Sequence, residues 1–192
     1  MIYIVKTIKS LYQMILTNKD LRSYLKSDFN ANNITSKIEY YWKLIYGNVN
    51  ACVFRYLISL RKYEFYSNIN SPLKFYWRYR NRQLGLKYNL AIPINVIGPG
   101  LYIPHIEGGV IVNCKKIGAN CKINSGVVIG SKHNNSEIAV IGDNVEICVG
   151  AKVIGAINIG DNVIIAPNAV VINDVPSKCV VGGVPAKIIR QY

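Results

Sequence analysis

Two hydrophobic periods run along this chain, and they divide it near residue 88. In the first stretch apolar residues recur at helical spacing. Ile4, Ile8, Leu11 and Ile15 predict an amphipathic helix, with Lys6 and Lys9 set inside the pattern. Ser36-Lys37-Ile38-Glu39 has the form of a capping box, in which the serine caps a free N–H and the glutamate reaches back. The helix it opens should run to Tyr46 and stop at Gly47. A further helix is expected over 51–66, with Val53, Tyr56, Leu57 and Leu60 on one side. Ser71-Pro72 reads as an N-cap followed by proline at the first helical position, opening a last helix that ends near Gly85. The aromatic residues here (Tyr40, Tyr41, Trp42, Tyr76, Trp77, Tyr79) suit core and interface packing better than a binding stack.

From about residue 97 the period becomes six. Ile117, Ile123, Ile129, Ile141, Ile147, Val153, Ile159, Ile165 and Val171 keep one phase. A small residue often follows (Gly118, Gly130, Gly142, Gly160, Ala166), and four positions after an anchor comes a second modest side chain, as at Cys121, Val127, Val145, Ala151, Ile157, Val163 and Ala169. Six is neither a helical nor a heptad period; hexapeptide repeats indicate a parallel β-helix. Each hexapeptide is a short strand and a turn, three make a triangular coil, and the anchors stack inside the prism. Asn120, Asn144, Asn162 and Asn168 suit left-handed turn positions. The phase breaks twice. Ile103 to Ile111 is eight residues, and the anchor expected at Asn135 is polar, so residues 131–136 should leave the prism as a loop. Interruptions of a regular solenoid are where function concentrates. The expected architecture is mainly β: a left-handed β-helix domain over 89–192, closed by a short C-terminal segment, after a helical region over 1–88.

Composition narrows the function. The net charge of +13 is uneven: residues 1–89 carry 15 Lys and Arg against 4 Asp and Glu, and the remainder is close to balanced. That surplus suits a solvated basic face, a phosphate-bearing ligand or an anionic membrane surface. No recognisable nucleic-acid-binding motif accompanies it, so no nucleic-acid partner is expected. The apolar runs are broken by Gly, Pro and Asn and predict no membrane span; the N-terminus lacks a small-residue cleavage site and reads as a helix rather than a signal peptide. The five cysteines include no CxxC pair, which argues against a disulfide framework or a zinc site and fits a reducing cytosol.

Only two histidines are present. His105 follows Gly98-Pro99-Gly100-Leu101-Tyr102-Ile103-Pro104 and precedes Gly108-Gly109. It falls two positions past an anchor, at a turn, with its imidazole outside the prism and glycines that let a ligand approach. A base of near-neutral pKa is what acyl transfer to a hydroxyl requires. His133, in the loop, is a weaker candidate that a solvated position explains equally well.

Residues of about 88–189 resemble the serine acetyltransferase-like branch of the hexapeptide acyltransferases, which includes sugar O-acetyltransferases of surface-polysaccharide synthesis. The matching pieces are GPGLYIPHIEGGVIVN at 98–113, IGDNVEICVGAKVIGAINIGDNVIIAPNAVV at 141–171 and VPSKCVVGGVPAKII at 175–189. The last resembles the family's closing signature. The resemblance implies an acetyl-CoA-dependent O-acetyltransferase with acetyl-CoA as co-substrate, no metal, and His105 as general base. It implies a trimer whose site lies in a groove between two prisms. It also implies a CoA arm running along Gly150, Ala166 and Gly183, with Lys178 and Lys187 available to phosphates. Two positions depart from the serine enzymes. Aspartates that family carries about fifteen residues before the histidine and immediately before it fall at Leu90 and Pro104 here. The first normally orients the imidazole, so His105 needs another partner: a backbone carbonyl, Asn89 or Glu107. The second normally holds the amino acid, and its loss favours a sugar or glycan precursor, free or lipid-linked, over serine.

The alternatives are a serine O-acetyltransferase of cysteine biosynthesis and, in another class, a non-catalytic β-helix scaffold, against which the accessible His105 speaks. A metal-dependent β-helix hydratase would need about three histidine ligands. A nucleotidyltransferase would need a Gly-rich phosphate loop that residues 1–90 lack. A short prism with long flat faces should assemble as a homotrimer, with higher assembly through the N-terminal helices. A cytoplasmic enzyme is expected, with peripheral membrane contact if the acceptor is lipid-linked.

Overall fold

A computed structural model describes residues 14–132 and 138–192. Most of the helix expected from Ile4, Ile8 and Leu11 therefore lies outside the described residues; Ile15, its last apolar position, is buried. Helix α1 (Asn18–Ala31) opens on a capping box that the hydrophobic pattern does not advertise: Thr17 Oγ1 accepts from the Asp20 N–H at 3.1 Å and Asp20 accepts from the Thr17 N–H at 2.9 Å. Helix α2 (Lys37–Ile45) begins as expected, with Ser36 Oγ accepting from the Glu39 N–H at 3.1 Å. The box is only half formed, because the Glu39 carboxylate accepts from the Thr35 N–H at 2.7 Å instead. The helix runs out at Tyr46, and Gly47 (φ +70°) turns the chain.

Helix α3 (Val49–Asn68) extends the expected span by two residues at each end and buries Val53, Tyr56, Leu57 and Leu60. Helix α4 (Leu73–Tyr88) does not end at Gly85. Gly85 is a point of close approach: a Cβ there would lie 2.6 Å from the Leu90 carbonyl oxygen and 3.5 Å from Tyr56. The stop is Asn89, left-handed at φ 55°, ψ 38°. Of the aromatic residues expected to pack, Tyr40 is buried, whereas Tyr41, Trp42, Tyr76 and Tyr79 face outward.

The second half is a left-handed parallel β-helix with three faces. Face I is built from β3 (Lys116–Ile117), β6 (Val140–Ile141) and β9 (Asn158–Ile159). Face II holds β4 (Lys122–Ile123), β7 (Glu146–Ile147), β10 (Ile164–Ile165) and β12 (Cys179–Gly182). Face III holds β1 (Leu90–Ala91), β2 (Val110–Val112), β5 (Val127–Gly130), β8 (Lys152–Ile154) and β11 (Val170–Val171). All nine anchors are buried, as are Cys121, Val127, Val145, Ala151, Ile157, Val163 and Ala169. Ile141 pairs with Ile159, one regular coil of eighteen positions. Ile117 pairs with Ile141, twenty-four positions on, so this coil has six surplus residues, and residues 133–137 fall within it. The asparagines expected at turns all have positive φ, from 55° to 57°. The closing signature ends the prism as a hairpin: residues 183–186 turn, and β13 (Lys187–Gln191) returns antiparallel on β12.

One anchor was misplaced in phase. Ile111 pairs with Val128 on the outer surface of face III and is 52 % exposed, while Val110 and Val112 point inward. A strand alternates sides, so a loop that shifts the count by one residue exchanges inner and outer positions.

The halves share one core, in which Val53, Tyr56, Leu57 and Leu60 of α3 pack with Ile97, Leu101, Ile103 and Val110 of the first coil. A fully buried guanidinium ties the junction. Arg61 donates to Asp28 (2.8 Å), Glu64 (3.1 Å), the Ile97 carbonyl (2.8 Å) and the Gly98 carbonyl (2.7 Å). Asp28 also accepts from the N–H groups of Gly100 (2.8 Å) and Leu101 (3.1 Å). Burial works against the Arg61 charge, and Asp28 and Glu64 more than offset it, holding its pKa above the ordinary value. No helix among the described residues is long and apolar enough to cross a membrane.

Candidate functional site

The Arg61 network fixes the turn at Gly98–Leu101, and the chain then crosses face II at Tyr102 and Ile103 before an irregular loop over 104–109. Ile106 packs against the core and holds the loop down. Its flanking residues, His105 and Glu107, are thereby left outside. The Gly109 N–H closes the turn on the Ile106 carbonyl at 3.1 Å. The imidazole of His105 is 66 % exposed, and its Nδ1 lies 3.9 Å from Glu107 Oε2. That is beyond a hydrogen bond but within ionic reach. Of the partners considered for His105, Glu107 is the one beside it. With Nδ1 facing a carboxylate, Nε2 is the nitrogen left for a substrate.

This loop heads one edge of the prism, where face II turns into face III. Successive coils lock together there: Gly126 N–H donates to Gly109 O (2.7 Å), Gly150 N–H to Ser125 O (2.9 Å), Asn168 N–H to Val149 O (2.9 Å) and Val170 N–H to Gly183 O (3.0 Å). Gly109, Gly126 and Gly150 have φ of 70°, 72° and 72°, and a Cβ on Gly150 would strike the Asn168 side chain. The edge is therefore lined by small residues at Gly109, Gly126, Gly150, Ala166 and Gly183, with Val149 and Asn168 standing beside them. Gly150, Ala166 and Gly183 all lie along it, with Lys187 just beyond at the start of β13. Lys178 is elsewhere. It occupies the edge between faces I and II, with φ +59° like Asn120, Asn144 and Asn162 in the coils before it, and its N–H donates to Asp161 O at 2.9 Å. His133 lies outside the described residues; Ser131 and Lys132, which precede it, follow face III and begin the third edge.

Beside the His105 loop is a cavity of about 660 Å³ between α4 and the outer surface of face III. Asn81, Arg82 and Asn89 line it from the helix side, Ala91, Ile111 and Val128 from the sheet, and Glu107 from the loop. The sequence reading passed over Arg82. Three arginines alternate at 78, 80 and 82, and nothing in their spacing tells which one faces the sheet. Among the described residues no group of three or more His, Cys, Asp or Glu gathers as a metal site.

The chain is thus a left-handed hexapeptide prism after a helical region, with an outward histidine at the head of one edge. The chain is similar to serine acetyltransferases: it is 45% identical over 97 residues to that of Staphylococcus xylosus, a match covering 50% of this chain and 45% of that protein. The chain thus matches about half the length of its curated relatives. No family model matches it. The solved structure of the Neisseria gonorrhoeae serine acetyltransferase superposes with a TM-score of 0.67 at 26% identity, covering 91% of this chain and 68% of that one. A serine acetyltransferase solved in complex with CoA shares the fold, with a TM-score of 0.64 at 24% identity over 96% of this chain and 74% of that one. The serine acetyltransferase-like character expected from the motifs at 98–113, 141–171 and 175–189 is borne out.

Proposed function

We propose that this chain is an O-acetyltransferase that moves an acetyl group from acetyl-CoA to an acceptor hydroxyl, with His105 as general base. The observation that carries this reading is the position of His105 at the head of the edge that holds Gly126, Gly150, Ala166 and Gly183. Acetyl-CoA supplies the activated carbonyl, and the small residues along the edge at Gly126, Gly150, Ala166 and Gly183 offer an extended pantetheine arm a path. Lys187 is available to its phosphates. His105 takes the hydroxyl proton at Nε2 as the oxygen bonds to the carbonyl carbon, holds it beside Glu107, and delivers it to the departing sulfur. The carbonyl oxygen becomes the oxyanion, and backbone N–H groups at a neighbouring subunit's turns stabilise it. Direct transfer needs no protein nucleophile, only both substrates held together. His133 remains a second candidate, and Lys178 a phosphate contact only for a ligand that reaches the neighbouring edge.

The names of the relatives favour serine as the acceptor over the sugar that the sequence put first, and serine is the first acceptor to test. A sugar hydroxyl is kept as the second reading, because Pro104 stands where the serine enzymes carry an aspartate and because the cavity of about 660 Å³ far exceeds what serine fills. The test is CoA release from acetyl-CoA with L-serine, nucleotide sugars and glycans in parallel; absence of transfer to every hydroxyl acceptor in the panel counts against the reading. A homotrimer, with a site completed between prisms, is part of the same proposal, as are a cytoplasmic location and contact of the basic helical half with anionic membranes if the acceptor is lipid-linked. Sedimentation mass tests the first, and liposome co-sedimentation at varied salt the last.

A further inference from the structure

The cavity between α4 and face III has three features that belong together. Its sheet wall is apolar, and it accounts for Ile111, a large aliphatic side chain turned outward. Its loop wall carries Glu107, whose carboxylate lies 3.9 Å from His105 Nδ1, so the cavity opens beside the proposed base. Its helix wall carries Arg82, which is exposed and has no carboxylate within ion-pairing distance among the described residues. The neighbouring Asn81 is already engaged: it donates to Ser59 Oγ at 3.1 Å and is bonded to the Tyr56 hydroxyl. Among the described residues the free cation of this cavity is the Arg82 guanidinium, a planar fork of donors matched to a carboxylate or phosphate.

We infer that this cavity is the acceptor subsite and that Arg82 is its specificity-determining residue, reading an anionic group on the acceptor whose hydroxyl His105 deprotonates. This rests on the acetyl-transfer reading and adds what the acceptor must carry: an oxyanion on one side, an aliphatic or ring C–H face against Ala91, Ile111 and Val128, and a hydroxyl toward the loop. A carboxylate of an amino acid and a phosphate of a phosphorylated or nucleotide-linked sugar share that chemistry.

The experiment measures binding and turnover on the full chain for Arg82→Ala, Arg82→Lys and, as a control from the same helix outside the cavity, Arg78→Ala. Binding of L-serine, glucose 6-phosphate and UDP-N-acetylglucosamine is read by calorimetry, which needs no catalysis; acceptor and acetyl-CoA saturation are read by CoA release. Loss of one charge-assisted contact weakens binding about 10- to 100-fold. Arg82→Ala should raise the Kd and KM of whichever anionic acceptor binds by that factor, Arg82→Lys should recover part of it, and acetyl-CoA KM and the Arg78→Ala constants should not move. The acceptor arms tell a carboxylate from a phosphate. An unchanged acceptor Kd in Arg82→Ala overturns the inference while leaving acetyl transfer intact, and so does failure of the wild type to bind any of the three carboxylate- or phosphate-bearing probes at millimolar concentration. Arg82-dependent anion binding without acetyl transfer to any acceptor sustains the subsite and instead defeats the enzymatic reading.

Discussion

Replacing Arg61 by methionine tests whether the helical half and the prism are held by the buried ionic junction. The substitution keeps most of the volume and removes the donors. Two carboxylates, Asp28 and Glu64, and the carbonyls of Ile97 and Gly98 lose their guanidinium partner at a site where Arg61 is fully buried. Removing one partner of a buried pair costs about 3–5 kcal/mol, because the remaining charge is left uncompensated. For a chain of this size that corresponds to a fall in Tm of roughly 6–20 °C. The pH dependence adds a second signature. Burial already raises the Glu64 pKa, against the pull of Arg61; without that cation, Glu64 should titrate further above its unfolded value. A raised carboxylate pKa contributes stability below the unfolded value and loses it as pH rises through the folded one. The deficit of Arg61→Met should therefore be smallest near about pH 4.5 and grow toward about pH 8. Urea unfolding at fixed protein concentration measures this, with the concentration held because assembly would shift apparent stability. Adding Asp28→Asn and Glu64→Gln should recover part of the loss. A single variant within about 1 kcal/mol of wild type at about pH 8 would refute the argument that these charges are uncompensated without Arg61.

Three further outcomes are expected. His105→Asn should lower kcat by roughly 10²–10⁴-fold with little change in acetyl-CoA KM, measured once an acceptor is in hand; near-wild-type turnover would remove His105 as base. Glu39, held at a pKa of about 2 by its hydrogen bonds to Lys43 and then Thr35, should titrate there by NMR, and Lys43→Met should raise the midpoint most. Its contribution to α2 is present above the unfolded carboxylate value and is lost as pH falls toward about 2, so a native midpoint near the ordinary value of 4.5 would contradict the geometry. Burial pushes the Cys114 thiol up to about 12 and Cys121 to about 11, so neither should react with a thiol reagent in the native protein, and labelling of either before unfolding would show that the prism opens.

The prism was legible because its code is local and repeated. Each hexapeptide presents one β-branched anchor and one smaller inward residue, and nine anchors in one phase leave little else for the chain to form; the left-handed asparagines at 120, 144, 162 and 168 mark the turns independently. Helix starts were legible where a side chain caps, as at Ser36, and less so where the signal depends on a distant partner. Gly85 reads as a stop, but its lack of a side chain serves the approach of the Leu90 carbonyl from a strand not yet formed. Arg61, Asp28 and Glu64 read as three more charges in a basic half, because a period shows which face is apolar and not which charge has a partner waiting on another element.

The same limit explains the site. His105 could be placed because the repeat fixes it outside the prism, and the alternation around Ile106 puts Glu107 on the same side. The path along Gly150, Ala166 and Gly183 came from the family resemblance, because the repeat alone does not tell which of three edges serves a ligand; in one coil Asn168 takes the glycine's place. The acceptor cavity could not, since it forms only where α4 lies against face III, a contact set by the Gly85–Leu90 approach and the left-handed Asn89. Ile111 was misread for the same reason: with one face of β2 turned to the core and the other to this cavity, both Ile111 and its neighbours Val110 and Val112 are apolar, and hydropathy alone cannot assign the phase. An apolar residue that breaks the inward phase of a solenoid beside an irregular loop is thus itself a pointer to a second wall. In this chain that wall is α4, and it brings Arg82 to the mouth of the site.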